Sequence, residues 1–411
     1  MRMIVIGAGG HIGRVIAREL ARGPEAEPVT LVDVNRPALV QAASLVETVG
    51  GRARPIVLED SSIDGLARLL EGHQVAVQAL PVWDASYRGI EAAIRTGVHV
   101  VDILEEYHRR PDAQEAHGLP IPEGLTPNQY GEDLHRRAAE AGITVLDGMG
   151  FAPGLTNVTL GEGIRRMDRA DSAIARAGGI PTHEAALRHP LKYMITWAFD
   201  HVLREYMAPS TVIQGGHVTT VGAMSGFERF RFEALERAEE LEAVITPGMP
   251  SFVHTRPELE EFAEKTIRWP GHWAAIAALR EAGMLDEAPV EVDGQQVSPR
   301  HFLSVVLAPR LQPLPGDRDA CVMWNTVSGE KDGQPARIDY YMWDEAAQKT
   351  SAMARVTAYP AAIAAQLIGQ GVIAAPGLSA PEDAIHGESY SALVQALAEH
   401  GVIIEERAEN C

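Results

Sequence analysis

Cysteine is nearly missing: Cys321 and Cys411 are the only two in 411 residues. Two thiols cannot build the disulfide framework of a small secreted domain, so a reducing compartment, the cytoplasm, is expected. No apolar stretch approaches the roughly 18 residues that a membrane span needs. No basic-then-apolar leader precedes the first strand, so a soluble chain is expected. Positive charge is also scarce: 36 Lys and Arg against 56 Asp and Glu leave a formal charge of -20. Such a surface repels nucleic acid and anionic membrane and mildly favours cationic small molecules such as amines. The 15 histidines form no H-E-x-x-H and the cysteines no C-x-x-C, so no metal site is expected. Neither G-x-x-x-x-G-K-[ST] nor G-x-S-x-G occurs, which removes the usual signals of phosphoryl transfer and of a serine hydrolase.

What is present is ordinary globular material, 46% apolar and 22% charged. The length exceeds what one hydrophobic core usually organises, so two domains are expected.

Met3 to Ile6 is a short apolar run followed by Gly7-Ala8-Gly9-Gly10-His11-Ile12-Gly13. Val15, Ile16, Ala17 and Leu20 then recur at helical spacing. Strand, glycine turn and helix form the context of a dinucleotide fingerprint. The turn must be tight, the backbone must approach a pyrophosphate, and the helix start must offer N–H groups to its charge. Ile12 occupies the place of the usual third glycine and Gly13 comes one residue late. Gly7, Gly10 and Gly13 satisfy a looser G-x-x-G-x-x-G spacing, which implies a pyrophosphate turn one residue longer than standard. Val29 to Val32 reads as the second strand and ends at Asp33, about twenty residues after the turn, as ribose recognition requires. A carboxylate there accepts the ribose hydroxyls and repels a 2′-phosphate, favouring NAD, with NADP possible because Arg36 could pair with a phosphate. Asn35 stands beside it. The competing reading makes Asp33 a cap for the next helix.

Alternation continues through Arg54–Leu58, Val75–Leu80, Val98–Ile103 and Ile143–Leu146, with helical segments between most of them. This pattern predicts an α/β fold with a doubly wound parallel Rossmann sheet. Ligands in such sheets lie at the carboxyl ends of the strands. Asp60 after the third strand, Ala79, Leu80 and Pro81 after the fourth, and Asp102 after the fifth are therefore cofactor candidates. Asp102 serves equally well as a helix cap. His108 to Gly131 reads as a long surface loop before a helix ending near Ala141.

The sixth strand ends in Asp147-Gly148-Met149-Gly150-Phe151-Ala152-Pro153-Gly154-Leu155-Thr156-Asn157, where Pro and Gly would start a helix facing the nicotinamide end. Further on come Gly178-Gly179-Ile180-Pro181, Pro190-Leu191-Lys192-Tyr193 with Trp197, Glu205-Tyr206, and Lys265-Thr266-Ile267-Arg268-Trp269-Pro270-Gly271-His272. Together these motifs, in this order, resemble the saccharopine dehydrogenase-like family over nearly the whole chain. Among its members the likeness is nearest to the lysine 6-dehydrogenase branch. The departures are the glycine spacing, the loop after Tyr107 and the segment Thr182 to His189.

The resemblance implies that a mixed α/β domain, binding substrate and building a homodimer or larger homo-oligomer, interrupts the Rossmann domain. The expected division is 1–153 for the dinucleotide, 154–349 for substrate and dimerisation, and 350–411 returning to the first domain. It also implies hydride transfer from a C–N bond to nicotinamide, best matched by oxidative deamination of lysine at its 6-amino group. A saccharopine or carboxynorspermidine type reductase, and a non-catalytic nicotinamide sensor, are the alternatives. Such chemistry needs a group for the substrate carboxylate, a base and a closed site. Arg268 suits the carboxylate because guanidinium pairs with it bidentately. His272 is the side chain that titrates nearest neutral pH, though a structural histidine is the common case. Lys265, Lys192 and Tyr193 are further proton carriers if burial shifts them, against a solvated Lys and a core Tyr. Trp197 could wall a cationic amine or be core, and Glu205 could pair with an ammonium or be solvated. Asn157 is a substrate-binding candidate and Pro153 a cofactor-binding one.

Overall fold

The computed structural model describes residues 1–22, 27–111, 118–197, 199–347 and 349–410. Cys411 and part of the segment after His108 lie outside the described residues. The chain begins β1 (Met3–Ile6), α1 (His11–Leu20), β2 (Val29–Asp33), α2 (Arg36–Glu47), β3 (Ala53–Val57), α3 (Ile63–Leu70) and β4 (Val75–Gln78). It continues α4 (Trp83–Thr96), β5 (His99–Asp102), α5 (Pro127–Glu140), β6 (Thr144–Leu146) and α6 (Leu155–Arg165). Then come β7 (Arg169–Pro181), α7 (His183–Ala186), α8 (Phe199–Glu205), β8 (Ser210–Gln214), β9 (His217–Val221), β10 (Glu228–Ala234), β11 (Arg237–Ile245) and α9 (Phe252–Thr255). β12 (Glu261–Arg268), α10 (His272–Glu281), β13 (Val290–Val292), β14 (Gln295–Val297), α11 (Pro299–Leu311), β15 (Asp319–Lys331) and β16 (Gln334–Glu345) follow. The last elements are α12 (Ala352–Gly369), β17 (Gly377–Ser379), α13 (Pro381–Ala384), α14 (Glu388–Glu399) and β18 (Ile404–Asn410).

These elements divide into two compact units. The first comprises Met1–Glu162, Met249–Thr255 and Ala354–Gly401; the second comprises Gly163–Gly248, Arg256–Met353 and Val402–Cys411. The first unit holds a seven-stranded sheet in the order β17-β6-β5-β4-β1-β2-β3. All its pairings are parallel. This is the doubly wound order expected from the alternation of strands and helices, and it reverses direction between β1 and β4. Its central strands are apolar on both faces, because helices cover both sides of such a sheet. Ile4, Ile6, Val32, Ala76, Val100 and Val145 pack with Tyr87, Ile90 and Leu134 from the helices. Pro55 sits in β3, the edge strand, where its missing N–H costs no ladder bond. Helix starts carry their own caps: Asn35 accepts from Ala38 N, Ser62 from Gly65 N, and Thr126 with Gln129 forms a capping box.

The second unit is built on a nine-stranded mixed sheet in the order β10-β11-β12-β7-β15-β16-β18, with β8 added to β12 and β9 to β8. Among the described residues only its β12–β7 pairing is parallel. An aromatic core lies on it, including Phe232, Trp269 and Tyr341. A second cluster joins Tyr193, Phe199, Tyr206, Trp273 and Leu303. Among the described residues no helix is long and apolar enough to cross a membrane.

Two local expectations are corrected. The final strand β18 pairs with β16 in the mixed sheet, where it covers an edge that would otherwise stay open, and does not follow α14 back into the first sheet. The segment expected as surface loop from His108 opens with a fully buried histidine, and α5 already begins at Pro127. Lys265 to Arg268 lies within strand β12, so residues three apart point to opposite faces of the sheet.

Candidate active site

In the first unit the glycine turn is shaped by close backbone approach. Gly7 has φ +84°, and any side chain there would collide with the Ala79 carbonyl. Gly13 faces the same turn from inside α1, and a Cβ there would run into the Gly7 carbonyl. Gly10 is the N-cap of α1 and, lacking a side chain, makes no capping bond of its own. The start of α1 at His11 and Ile12 thus adjoins the glycine turn, the place where a helix N-terminus meets a phosphate in a dinucleotide fold. At the tip of β2, Asp33 Oδ2 accepts from Gly9 N at 2.9 Å and Oδ1 from Asn35 N at 2.9 Å. Asp33 thus braces the glycine turn, while the capping of α2 falls to Asn35. A bound dinucleotide fits this cradle: the glycine surfaces admit a pyrophosphate, and Asp33 remains half-buried at the strand end.

The other cofactor candidates separate. Ala79, Leu80 and Pro81 follow β4 directly beside the turn, and Ala79 N donates to Ile6 O at 2.8 Å. Asp60 is exposed two strands away, where it accepts from Ser62 N at 3.0 Å and Arg68 Nη2 at 2.7 Å. The Ser62 hydroxyl, then the Ser62 amide, with Arg68 adding least, hold its carboxyl below the ordinary value. Asp102 is fully buried and bonded to Ser86, Gln78 and Leu104 N. It therefore neither caps a helix nor offers an edge to a ligand. Pro153 is buried in the turn leading to α6, against Gly148.

In the second unit the centre is Arg268, at the end of β12 and 4% exposed. Its Nε donates to the Tyr206 hydroxyl at 3.0 Å and its Nη1 to the Gly179 carbonyl at 3.4 Å. Its guanidinium carbon lies 5.3 Å from the Tyr193 ring centre, 5.9 Å from Tyr206 and 5.8 Å from Trp273. Among the described residues no carboxylate comes within ion-pair distance of it. Burial opposes its charge, but Tyr206, Tyr193 and Glu205 more than offset that and keep its pKa above the usual value. Nearby, the Tyr193 hydroxyl, Thr196 Oγ1 and Trp273 Nε1 are buried without hydrogen-bond partners. Gly178 is required because a Cβ would strike the Ile267 carbonyl, and Gly179 faces Thr196 Oγ1 and Met353.

His272 opens α10 and is fully enclosed. Nδ1 donates to the Leu191 carbonyl at 2.9 Å, and Nε2 accepts from the Tyr206 hydroxyl at 3.1 Å. Burial, with Arg268 alongside, drives its pKa down to about 3. The ring expected to titrate near neutral pH is therefore a fixed neutral acceptor. Burial pushes the Tyr193 and Tyr206 hydroxyls up, against Arg268.

Two regions of the chain match domain descriptions: residues 3–172 match "Saccharopine dehydrogenase NADP binding domain", and residues 150–402 match "Saccharopine dehydrogenase C-terminal domain". The chain belongs to the saccharopine dehydrogenase family. The first of these matches points to a nicotinamide coenzyme. The saccharopine dehydrogenase [NADP(+), L-glutamate-forming] of Saccharomyces cerevisiae is 22% identical over 282 residues, 63% of this chain and 54% of that protein. The mitochondrial alpha-aminoadipic semialdehyde synthase of Bos taurus is 25% identical over 169 residues, 38% of this chain and 17% of that protein. The chain thus spans about half of the yeast relative and under a fifth of the bovine one. An apo structure of the yeast L-Glu-forming saccharopine dehydrogenase superposes with a TM-score of 0.76 at 20% identity, covering 99% of both chains. That likeness carries the fold of the saccharopine dehydrogenase family over the full length.

Within this saccharopine dehydrogenase-type chain the remaining candidates are dispersed. Lys265 faces away from Arg268 and donates to Gly226 O at 2.9 Å, with Glu228 3.3 Å away. Lys192 is exposed and donates to Pro270 O at 2.8 Å. Trp197 is 37% exposed and its ring lies 5.1 Å from that of His201, tilted by 59°, and Glu205 pairs with His201 at 3.1 Å. Asn157 belongs to the first unit, where its Nδ2 donates to Ser251 Oγ at 3.1 Å and Glu382 Oε2 at 2.8 Å. Tyr206, Thr196 and Trp273 were missed. Tyr206 stood in the sequence beside Glu205, and a phenol next to a charged residue gives no signal of its own.

Proposed function

We propose that this chain oxidises a C–N bond of an amino acid with a nicotinamide coenzyme. The observation that carries the reading is Arg268: a buried guanidinium with no carboxylate partner among the described residues, ringed by buried donors that also lack partners. A buried cation of this kind is costly unless an anion completes it. The α-carboxylate of an amino acid supplies that anion with the planar geometry that guanidinium prefers.

When bound, the coenzyme accepts hydride from the carbon bearing nitrogen. The residues of the second unit bind and orient. Arg268 holds the carboxylate, and the Tyr193 hydroxyl, Thr196 Oγ1 and Trp273 Nε1 are donors available to substrate. Tyr206 keeps the guanidinium aimed, and the aromatic rings exclude water. Loss of hydride and of the nitrogen proton turns the amine into an imine. Water then adds to give a carbonyl compound, releasing ammonia from a primary amine or a second amine from a secondary one. The first reading of the substrate is lysine, oxidised at its 6-amino group. A second, saccharopine-type reading, in which the bond joins two amino acids, is supported by the names of the yeast and bovine relatives. Asp33 supports NAD as the coenzyme, against the name of the matched NADP domain.

The test uses purified full-length protein with NAD+ or NADP+ and L-lysine, saccharopine or cadaverine, following the absorbance of reduced nicotinamide. Turnover of lysine with ammonia release supports the first reading, and turnover of saccharopine with release of a second amino acid supports the other. Equal turnover of cadaverine, which lacks a carboxylate, discards the role of Arg268. Coenzyme binding with no turnover of any amine discards the enzyme reading in favour of a sensor.

A further inference from the structure

Three adjacent strands of the first unit end in buried polar groups. Gln78 ends β4 and pairs in register with Asp102, which ends β5, and Asp147 directly follows β6. Between the two acids lies His108, fully buried. Its Nδ1 is 2.8 Å from Asp147 Oδ1, and its Nε2 is 2.7 Å from Ser86 Oγ and 3.9 Å from Asp102 Oδ2. Asp102 accepts from the Ser86 hydroxyl, from Gln78 Nε2 at 3.2 Å and from Leu104 N at 2.8 Å. Burial pushes the Asp102 carboxyl up, while His108 and these donors draw it back toward the ionised form that accepts all three.

Proton counting then sets the charge of the ring. Ser86 has one hydroxyl proton and gives it to Asp102, so His108 Nε2 must donate to Ser86 Oγ. Asp147 is the acceptor at Nδ1, so both nitrogens carry protons and His108 is an imidazolium. Burial works against that charge, but Asp147 and then Asp102 outweigh it and lift the ring to about 9. The neighbouring carboxyl, Glu106, adds to the field that raises His108 and is itself bonded by Tyr87 Oη at 2.7 Å and Trp83 Nε1 at 3.0 Å. Ser86, His108 and Asp147 have the connectivity of a hydrolytic triad. The serine is fully buried and its proton is committed to Asp102, so it attacks nothing.

The backbone shows what the cluster holds. Met149 N donates to Asp102 O at 2.7 Å, and Asp147 N to Ser379 O at 3.0 Å, so the turn Asp147 to Gly154 hangs from it. The far end of that turn is fixed by Gly154 N donating to Asn157 Oδ1 at 3.0 Å. In a sheet that reverses between β1 and β4, a dinucleotide with pyrophosphate at β1 and adenosine at β2 lays its other half along β4, β5 and β6.

We propose that His108 is a positioning residue for the nicotinamide half of the coenzyme, locking the carboxyl ends of β5 and β6 and the turn that follows into one rigid edge. The proposal rests on the coenzyme reading given above, and the experiment separates the two. Binding of NAD+ and of ADP-ribose, which lacks the nicotinamide, is measured by calorimetry on full-length wild type, His108→Asn, Asp147→Asn and Ser86→Ala. If the wild type favours NADP+, that coenzyme and 2′-phospho-ADP-ribose replace them. His108→Asn and Asp147→Asn weaken the dinucleotide by roughly tenfold or more and leave ADP-ribose within about twofold, with Ser86→Ala shifting the ratio less in the same direction. Parallel weakening of both ligands, or of neither, in variants with wild-type circular dichroism overturns the proposal. Should His108→Asn fail to fold, Ser86→Ala decides, and an unchanged ratio there overturns it. A wild type that binds neither ligand removes the coenzyme reading itself. Nitrogen NMR of the His108 ring at neutral pH, expected to report two protonated nitrogens, overturns the proposal if the ring is neutral.

Discussion

The Tyr206 hydroxyl donates to His272 Nε2 at 3.1 Å, and with Leu191 O taking the Nδ1 proton this bond leaves the imidazole no role but neutral acceptor. A pH–rate profile should therefore show no limb belonging to His272 between mildly acidic and mildly alkaline pH. His272→Asn should change the height of the profile and not the position of its limbs. A limb displaced by that substitution would contradict the assignment.

The same ring and His108 bias stability in opposite directions. His272 sits at about 3 against an ordinary 6.5, so its contribution is complete above 6.5 and is lost as pH falls from there toward 3. His108 sits at about 9, so its contribution is complete below 6.5 and is lost as pH rises through 9. Urea unfolding across this range should lose its alkaline decline in His108→Asn and part of its acid decline in His272→Asn.

Arg268 separates binding from stability. A buried ion pair is expensive to break because the partner is left charged, but Arg268 has no such partner among the described residues. Arg268→Met should therefore cost under about 1 kcal/mol of stability, or stabilise, while raising KM for a carboxylate substrate by roughly a hundredfold. Arg268→Lys should not restore KM, since an ammonium cannot form the paired contacts of a guanidinium. Melting temperature and KM measured on the same preparations test this; equal loss of both would show a purely structural arginine.

How much of this was legible depends on range. The glycine turn, Asp33 and the strand order rest on neighbours in sequence and on the regular alternation of strand and helix, and these could be read directly. Arg268 was selected by chemistry, while the consecutive buried residues Phe262, Ala263 and Glu264 hide the two-residue period of β12 that sets Lys265 on the other face. Ser86, Asp102, His108 and Asp147 come from four separate segments, so nothing local announces that they meet. Asp102 could only be guessed from its place at a strand end. The pairing of β18 with β16 is likewise a contact between distant segments that neither strand encodes alone.

Asp33 should set coenzyme choice. Asp33→Asn removes the negative charge that a 2′-phosphate would meet, while keeping one acceptor for Gly9 N or Asn35 N. Affinity for NAD+ should fall roughly tenfold, in line with about 1.5 kcal/mol for a charged hydrogen bond, and affinity for NADP+ should rise relative to it. Titration with both coenzymes reads the ratio, and an unchanged ratio would detach Asp33 from the ribose.

Two glycines of the turn make opposite demands. Gly13→Ala drives a methyl into the Gly7 carbonyl, a backbone atom that cannot step aside, and should cost about 1–3 kcal/mol together with coenzyme binding. Gly10 has φ −66° and ψ 164°, open to any residue, and its Cβ would stand 3.3 Å from Gly7 O. Gly10→Ala should fold with a loss of only about 0.5 kcal/mol, as expected at an N-cap without a side-chain bond. Thermal unfolding of the two variants compares them directly.

Asn157 and Glu382 provide the strictest test of a buried polar network. Glu382 is fully buried and accepts from Asn157 Nδ2 at 2.8 Å, Ser251 Oγ at 2.7 Å and Thr255 Oγ1 at 2.6 Å. Asn157→Asp keeps the shape and replaces the donor with a second carboxylate, so two like charges face each other out of water. One of them must take a proton for the unit to fold, which makes the variant several kcal/mol less stable at neutral pH and progressively less impaired as the pH falls. Glu382→Gln loses the charge but leaves acceptors for the hydroxyls, and should cost about 1–3 kcal/mol with little pH dependence. If Asn157→Asp were instead destabilised equally at acid and neutral pH, the carboxylate at 382 would not be the partner that Asn157 satisfies.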